Sequence, residues 1–210
     1  MISKTVGVIT MPLLCVLALT VCLQFATPAS AQNSASGETP AYTADGKLIF
    51  PAQYREWIYL TSGVDMSYSP GRTMDHSMFD NVFVNPAAYK SFLQTGTWPD
   101  KTMLALEVRV AGSNASINKS GHFQTAETMG KEVHVKDSSR FAGGWAFFGF
   151  DDSDTAKQVP KEAACYSCHE QHAAVDTTFV QFYPTLLGIA KDKHTLSAGY
   201  LKDEAANAKK

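Results

Sequence analysis

The strongest constraint on the fold is the alternation of side chains between residues 102 and 110, TMLALEVRV. Every second residue is aliphatic, namely Leu104, Leu106, Val108 and Val110. The positions between them hold Met103, Ala105, Glu107 and Arg109. Because successive side chains of a β-strand point to opposite faces of a sheet, this segment predicts a strand with one fully apolar face.

Other short segments share this strand character and are separated by turns. They are residues 47–51, 56–64, 78–84, 131–137 and 144–150. Asn85 and Pro86 are typical of a helix start and Gly96 of a helix end, so we predict a helix after the third strand. The stretch 161–175, KEAACYSCHEQHAAV, favours a C-terminal helix, and apolar residues continue at helical spacing to Leu187. We therefore predict an α+β fold, mainly an antiparallel β-sheet with these two helices.

The N-terminus has the features of a secretory signal peptide. Lys4 supplies a positive charge, residues 6–25 are mostly apolar, and Ala29-Ser30-Ala31 is typical of a cleavage site. We predict cleavage after Ala31, that is a signal peptide of residues 1–31, and export to the periplasm without membrane attachment. A retained membrane anchor is the alternative.

The rest of the chain is predicted to form a single domain. Residues 32–45 are small and polar and indicate a flexible N-terminus. The domain itself is predicted over residues 46–192, followed by a tail of residues 193–210 that frays. The formal net charge of −2 and the lack of a basic run argue against nucleic acid as a partner.

A Cys-x-x-Cys-His motif carries the chemistry of the predicted domain. Cys15 and Cys22 lie in the predicted signal peptide, so Cys165 and Cys168 are the cysteines of the exported chain, with His169 directly after the second. Covalent attachment of haem c needs two thiols and an axial nitrogen, and this motif supplies all three. We predict one covalently attached haem c, with thioether links from Cys165 and Cys168 and with His169 as the proximal iron ligand.

Two other interpretations of the motif compete with haem attachment. A zinc site would need His169 and His172 to complete the two thiolates, although Cys168 and His169 are adjacent. A thioredoxin-like redox pair is expected near the start of a βαβ unit, whereas this pair follows a mainly β segment. Tyr166 and Ser167 are interpreted as surface spacers, and His172 as a surface or haem-edge residue.

The sequence does not decide what binds the second axial position of the iron. A protein ligand there would indicate an electron carrier, and an open position would admit a small molecule. The candidate ligands are Met66, Met74, Met78, Met103, Met129, His76, His122 and His134.

Four segments, in order, resemble the cytochrome P460 family. They are residues 54–57 (YREW), 82–102 (VFVNPAAYKSFLQTGTWPDKT), 131–148 (KEVHVKDSSRFAGGWAFF) and 165–186 (CYSCHEQHAAVDTTFVQFYPTL). The resemblance implies a mainly antiparallel β fold with helices and one c-type haem. It also implies a five-coordinate iron bound by His169, and a homodimer.

The resemblance covers two functional kinds of protein. In P460 enzymes, which oxidise hydroxylamine, a lysine is linked to the haem ring, whereas cytochromes c′-beta lack the link and bind nitric oxide and carbon monoxide in an apolar pocket. Here the place of the lysine, one residue before Glu107, is Leu106, which is expected in the distal pocket; Lys101 and Lys131 are the nearest alternatives. We therefore expect nitric oxide capture, sensing or detoxification. The alternatives are hydroxylamine oxidation, with electrons passing to another cytochrome, and plain electron transfer.

Strand alternation suggests further residues of the distal pocket. Phe79 and Phe83 share one side of their strand and are expected to wall the pocket. Glu132 matches an acidic residue of the family and is the candidate proton relay. Asp80 and Arg109 are weaker candidates.

Overall fold

An antiparallel sheet forms the centre of the fold. The computed structural model describes Met1, residues 38–68 and residues 76–209, so the predicted signal peptide, Met1 apart, lies outside the described residues. The strands are β1 (Leu48–Ile49), β2 (Ile58–Val64), β3 (Met78–Val84), β4 (Met103–Gly112), β5 (Phe123–Lys136), β6 (Trp145–Phe150) and β7 (Thr155–Ala156). The main sheet has the order β2-β3-β4-β5-β6 with every pair antiparallel, and β1 pairs with β7.

Helices complete an α+β fold, which confirms the predicted class. The α-helices are α1 (Pro86–Thr95), α2 (Ala164–His172), α3 (Leu187–Asp192) and α4 (Ala198–Asn207), with 3-10 turns at Tyr54–Glu56 and Val180–Phe182. α1 follows β3 as predicted and ends at Gly96, whose φ of 73° is left-handed. Asn85 begins the helix, and its Oδ1 accepts a hydrogen bond of 2.8 Å from the backbone N–H of Met103.

The two faces of the main sheet pack against different parts of the chain. The face that we call the helix face places Leu104 and Phe147 in one apolar cluster with Phe92 of α1 and Tyr166 of α2. The opposite face, called the outer face, forms a second cluster. Its members include Tyr54, Trp57, Met103, Ala105, Val133, Val135 and Phe148. The alternation predicted for residues 102–110 is therefore confirmed.

Strand register arranges the helix face into rows of paired residues, and the pair Met78 and Val110 lies beyond the three rows that follow. The first row is Val84, Leu104, His134 and Phe147. The second row is Val82, Leu106 and Glu132. The third row is Asp80, Val108 and Gly130. Successive rows are two residues apart, which is about 6.7 Å along the strands.

The C-terminal tail differs from its prediction because it contains α4. Ser197 caps this helix, since its Oγ accepts a hydrogen bond of 3.0 Å from Tyr200 N–H and donates one of 2.6 Å to the Ala173 carbonyl. Tyr200 is buried, and Gly199 lies against α2, where an added Cβ would fall 2.1 Å from the Gln171 carbonyl oxygen. The sequence pattern did not predict this helix because the tail is mostly polar and only a few of its residues contact the rest of the fold.

Two other elements differ in extent from their predictions. β5 begins at Phe123 instead of residue 131, so it continues the sheet well before the predicted strand. The segment from 179 to 187 is a 3-10 turn followed by the start of α3, and Pro184 lies between the two. No helix within the described ranges has the length and apolar character that a membrane crossing requires.

Candidate functional site

Helix α2 carries the Cys-x-x-Cys-His motif and is fixed to the sheet by Tyr166. The Tyr166 ring stacks on Phe147 of β6 with centroids 4.3 Å apart. Its hydroxyl accepts a hydrogen bond of 3.0 Å from Phe147 N–H and donates one of 3.2 Å to the Val159 carbonyl. Tyr166 is 4% exposed, so its interpretation as a surface spacer is wrong, whereas Ser167 does lie at the surface.

His169 is held in one orientation by its Nδ1 atom and by two aromatic rings. Nδ1 lies 2.7 Å from the Thr177 carbonyl oxygen, to which it donates a hydrogen bond. The ring packs against Phe179 and Phe147 with centroids 4.3 and 4.8 Å away. Burial, with the neighbouring His134, lowers the pKa of His169 from its ordinary value to about 4. The imidazole is therefore neutral, and its Nε2 lone pair is available for a metal.

The thiols of the motif precede this imidazole on the same helix. Cys165 is exposed and Cys168 is half-buried, and both are free. Their spacing of three residues places them on neighbouring turns of one helix side. His172 points away from this chemistry, because its Nδ1 lies 2.6 Å from an Asp203 carboxylate oxygen of α4 at the surface.

A cavity of about 510 Å³ is bounded by His169 and by the helix face of the sheet. Its aliphatic wall consists of Val82, Leu104, Leu106 and Val108. Its aromatic wall consists of Tyr68, Phe179, Phe182 and Tyr183. Its acidic and imidazole groups are Asp80, Glu132, His134 and His169. The cavity thus combines aliphatic and aromatic walls with two carboxylates, and one of these, Glu132, belongs to the same row as Leu106.

The two carboxylates of the cavity have different electrostatic surroundings. Glu132 lies 3.5 Å from Nε2 of His134, and this contact, set against burial, lowers the pKa of Glu132. Asp80 has the opposite behaviour, since burial and then the negative charges of Glu132 and Asp65 raise its pKa. The cavity therefore holds one carboxylate that stays ionised and one that takes up a proton more readily.

The family of the chain is decided by a match over residues 51–180. A profile of the cytochrome P460 family covers this range, which is more than half of the 210 residues and runs from the start of the fold through the Cys-x-x-Cys-His motif. The chain belongs to the cytochrome P460 family. No curated protein sequence matches it significantly.

The residues around the cavity fit the haem c that membership of the cytochrome P460 family implies. The motif offers two free thiols and a neutral imidazole on one helix, which is the donor set of this cofactor. A cavity of about 510 Å³ with aliphatic and aromatic walls is in the usual range for a bound organic cofactor. Cys165 and Cys168 would carry the thioether links, and His169 would bind the iron.

Leu106 and Glu132 lie together on the cavity wall, whereas Phe79 and Phe83 do not. Leu106 and Glu132 are direct partners in the second row and both line the cavity. The expectation for the two phenylalanines is wrong, because β3 turns Asp80 and its row partners toward the cavity and therefore turns Phe79 and Phe83 to the outer face. There the Phe83 ring packs against aromatic side chains from the segment around β2.

Three of the candidate sixth ligands line the cavity, namely Met66, Met78 and His134. His134 stands beside His169 instead of opposite it, with ring centroids 5.1 Å apart. Of the others, Met103 is buried on the outer face and Met129, His76 and His122 are exposed. Met74 lies outside the described residues. Met66 and Tyr68 come from the segment after β2. Its side chains show no helical or strand periodicity, so the sequence did not predict that this segment lines the cavity.

Neither alternative lysine reaches the cavity. Lys101 pairs with Asp137, and the Lys131 ammonium lies over the Phe50 ring with a distance of 4.4 Å to the centroid. Arg109, another candidate, bonds Glu107 on the outer face. Among the described residues that line the cavity there is no lysine or arginine.

Proposed function

We propose that this member of the cytochrome P460 family is exported to the periplasm and binds nitric oxide, and also carbon monoxide. It would hold one haem through Cys165 and Cys168, with His169 as the proximal ligand and the opposite position open. Nitric oxide capture, sensing or detoxification would be its role. The family resemblance also supports a homodimer.

The position of Leu106 carries this proposal. Leu106 lies in the middle row of the cavity wall, at the place where the resemblance puts the linking lysine of the hydroxylamine-oxidising enzymes. An aliphatic side chain has no amine, so it supplies only apolar surface to the ring and its ligand. The aliphatic neighbours in adjacent rows, Leu104 and Val108, extend this surface.

Each part of the site contributes a separate step to ligand capture. The hydrogen bond from His169 Nδ1 to the Thr177 carbonyl would fix the orientation of the imidazole and increase its basicity. The aliphatic wall of the cavity would exclude water and favour a neutral diatomic molecule over an ion. When bound, the haem iron supplies an axial site for a diatomic ligand.

Hydroxylamine oxidation is the second candidate, and the carboxylates of the cavity favour it. Hydroxylamine must lose protons as well as electrons, and Glu132, kept ionised by His134, would accept such a proton. The electrons would pass to another cytochrome. Plain electron transfer would instead require Met66 or Met78 to bind the iron, since these are the cavity methionines among the described residues.

Optical spectra of the purified, haem-loaded protein distinguish these functions. Ferric and dithionite-reduced spectra, followed by a pyridine haemochrome, should show ordinary high-spin haem c, and the reduced protein should bind carbon monoxide and nitric oxide. A strongly red-shifted reduced Soret band with an abnormal haemochrome would show a linked lysine and favour hydroxylamine oxidation. A low-spin spectrum, together with a reduced protein that does not bind carbon monoxide, would show a methionine ligand and refute ligand capture.

A further inference from the structure

Asp80 occupies a part of the cavity wall that is distant from His169 along the strands. The rings of His134 and Phe147, both in the first row, contact the His169 ring. Asp80 belongs to the third row, which lies roughly 13 Å further along the sheet, because each row adds two residues of strand rise. Leu106 stands between them in the second row. A ligand opposite His169 would therefore have Asp80 on its far side.

Among the described residues, the Asp80 carboxyl group has apolar and acidic neighbours but no counter-charge. Across the strand pair its partner is Gly63, which has no side chain and is covered by the Met66 thioether. Within residues 38–68 and 76–209, no cation and no hydrogen-bond donor is paired with the Asp80 carboxylate. Asp80 is half-buried and lines the cavity that a ligand would enter.

The described groups that act electrostatically on Asp80 are carboxylates, which disfavour its ionised form. Glu132 on β5 and Asp65 after β2 are negative, and Tyr68, from the same segment as Asp65, is a neutral phenol. His134 is paired with Glu132, with its Nε2 atom 3.5 Å from the carboxylate. Burial and these negative charges raise the pKa of Asp80, which agrees with the lack of a counter-charge within residues 38–68 and 76–209.

We propose that Asp80 is the residue that makes ligand binding depend on proton uptake: its protonated carboxyl group donates a hydrogen bond to the diatomic ligand, and its ionised form repels that ligand. This inference rests on the proposed function, because it needs a ligand opposite His169. It adds a specificity-determining residue to a cavity that has an aliphatic wall. A hydrogen-bond donor at this place holds a ligand that carries partial negative charge more tightly than aliphatic side chains alone.

The sign of the pH dependence follows from the state of the carboxyl group. Below its pKa, Asp80 carries the proton and acts as a donor, and above it the carboxylate can only accept. Carbon monoxide and nitric oxide have no proton to give, so ionisation removes the bond and leaves repulsion. Release of the ligand should be roughly fivefold slower on the acidic side, which is the factor that one hydrogen bond of ordinary net strength gives.

The test is a pH titration of the carbon monoxide adduct of the reduced haem protein. The infrared C–O stretch and the dissociation rate are measured for the natural chain, Asp80→Asn and Asp80→Leu. The natural chain should show a lower stretching frequency and slower release at acidic pH. Asp80→Asn keeps a donor that cannot ionise and should behave like the acidic form at every pH. Asp80→Leu has neither the donor nor the negative charge, so it should release carbon monoxide faster than the acidic form and show no dependence on pH.

A second carboxyl variant separates Asp80 from Glu132. In Glu132→Gln the C–O stretch and the release rate should still change with pH. The midpoint of that change should move to lower pH, because one of the negative charges that raise the pKa of Asp80 is gone. A titration that persists in Asp80→Asn, or a stretch that does not change with pH in the natural chain, would overturn the role of Asp80 and leave the proposed function intact. Failure of the reduced protein to bind carbon monoxide at any pH would overturn both.

Discussion

Glu107 is predicted to be the most sensitive charged position of the fold, and Glu107→Gln tests this. Its side chain is 1% exposed on the outer face, and it accepts hydrogen bonds from Tyr54, Arg55 and Arg109. The arginines differ in exposure, since the Arg109 side chain is 14% exposed and that of Arg55 is 52% exposed. The substitution keeps the shape of the side chain but removes the charge that both arginines face.

The expected cost follows from these exposures. Removing one partner of a buried ion pair leaves an uncompensated charge and typically costs about 3–5 kcal/mol. Arg109 is nearly buried, so Glu107→Gln should lower the free energy of unfolding by about 3 kcal/mol. Arg55→Ala removes a solvent-exposed partner and should cost less than about 1 kcal/mol. The double variant Glu107→Leu/Arg109→Leu should recover most of the loss, because an apolar pair leaves no buried charge.

Urea unfolding of the haem-loaded proteins, followed by circular dichroism at neutral and acidic pH, measures these differences. Burial alone would raise the pKa of Glu107, but hydrogen bonds from Arg109 and Tyr54 and the charge of Arg55 hold it below its ordinary value. A lowered pKa stabilises the fold above the ordinary carboxyl range, and that stabilisation is lost as the pH falls through the folded-state value. The gap between the natural chain and Glu107→Gln should therefore narrow in acid. A loss for Arg55→Ala as large as that for Glu107→Gln would refute the reasoning.

Three further predictions concern helix α2 and the cavity. Tyr166→Phe removes the acceptor of a buried N–H of β6 and should cost about 1–3 kcal/mol in urea unfolding, whereas Ser167→Ala on the exposed side of α2 should cost little. Gly199→Ala places a methyl group against a carbonyl of α2 and should lower the melting temperature clearly; Gly188→Ala, with open space around its Cβ, should not. Leu106→Lys places an amine on the cavity wall and should give an abnormal pyridine haemochrome, which Leu106→Met should not.

Strand alternation predicted much of the site, but only where one face of the strand was clearly apolar. The pattern of β4 placed Leu106 on the cavity face because all the aliphatic residues of that strand share a side. β3 has no such asymmetry, since Phe79 and Phe83 alternate with Asp80 and Val82, and large aromatic residues suit either apolar cluster. Its register against β4, which the sequence does not show, decided that Asp80 faces the cavity.

Contacts between distant segments were the other part that sequence patterns did not predict. Tyr166 looked like a spacer because it lies between the two cysteines, yet its burial depends on meeting β6. The tail looked unstructured because lysine, alanine and aspartate dominate it, yet Tyr200 and Gly199 dock it on α2. In both cases one or two residues make the tertiary contact, and so few residues leave no periodic signal.

The placement of Leu106 and Glu107 on opposite faces of one strand has a consequence for how such a protein can evolve. Point substitutions at Leu104, Leu106 or Val108 alter the chemistry of the cavity while the anchoring side chains between them stay unchanged. An insertion or deletion of one residue in β4 would turn the Glu107 carboxylate toward the cavity. It would also place an aliphatic side chain on the outer face, where Glu107 now pairs with Arg55 and Arg109. We expect relatives to differ at alternate positions of this strand and to keep its length unchanged.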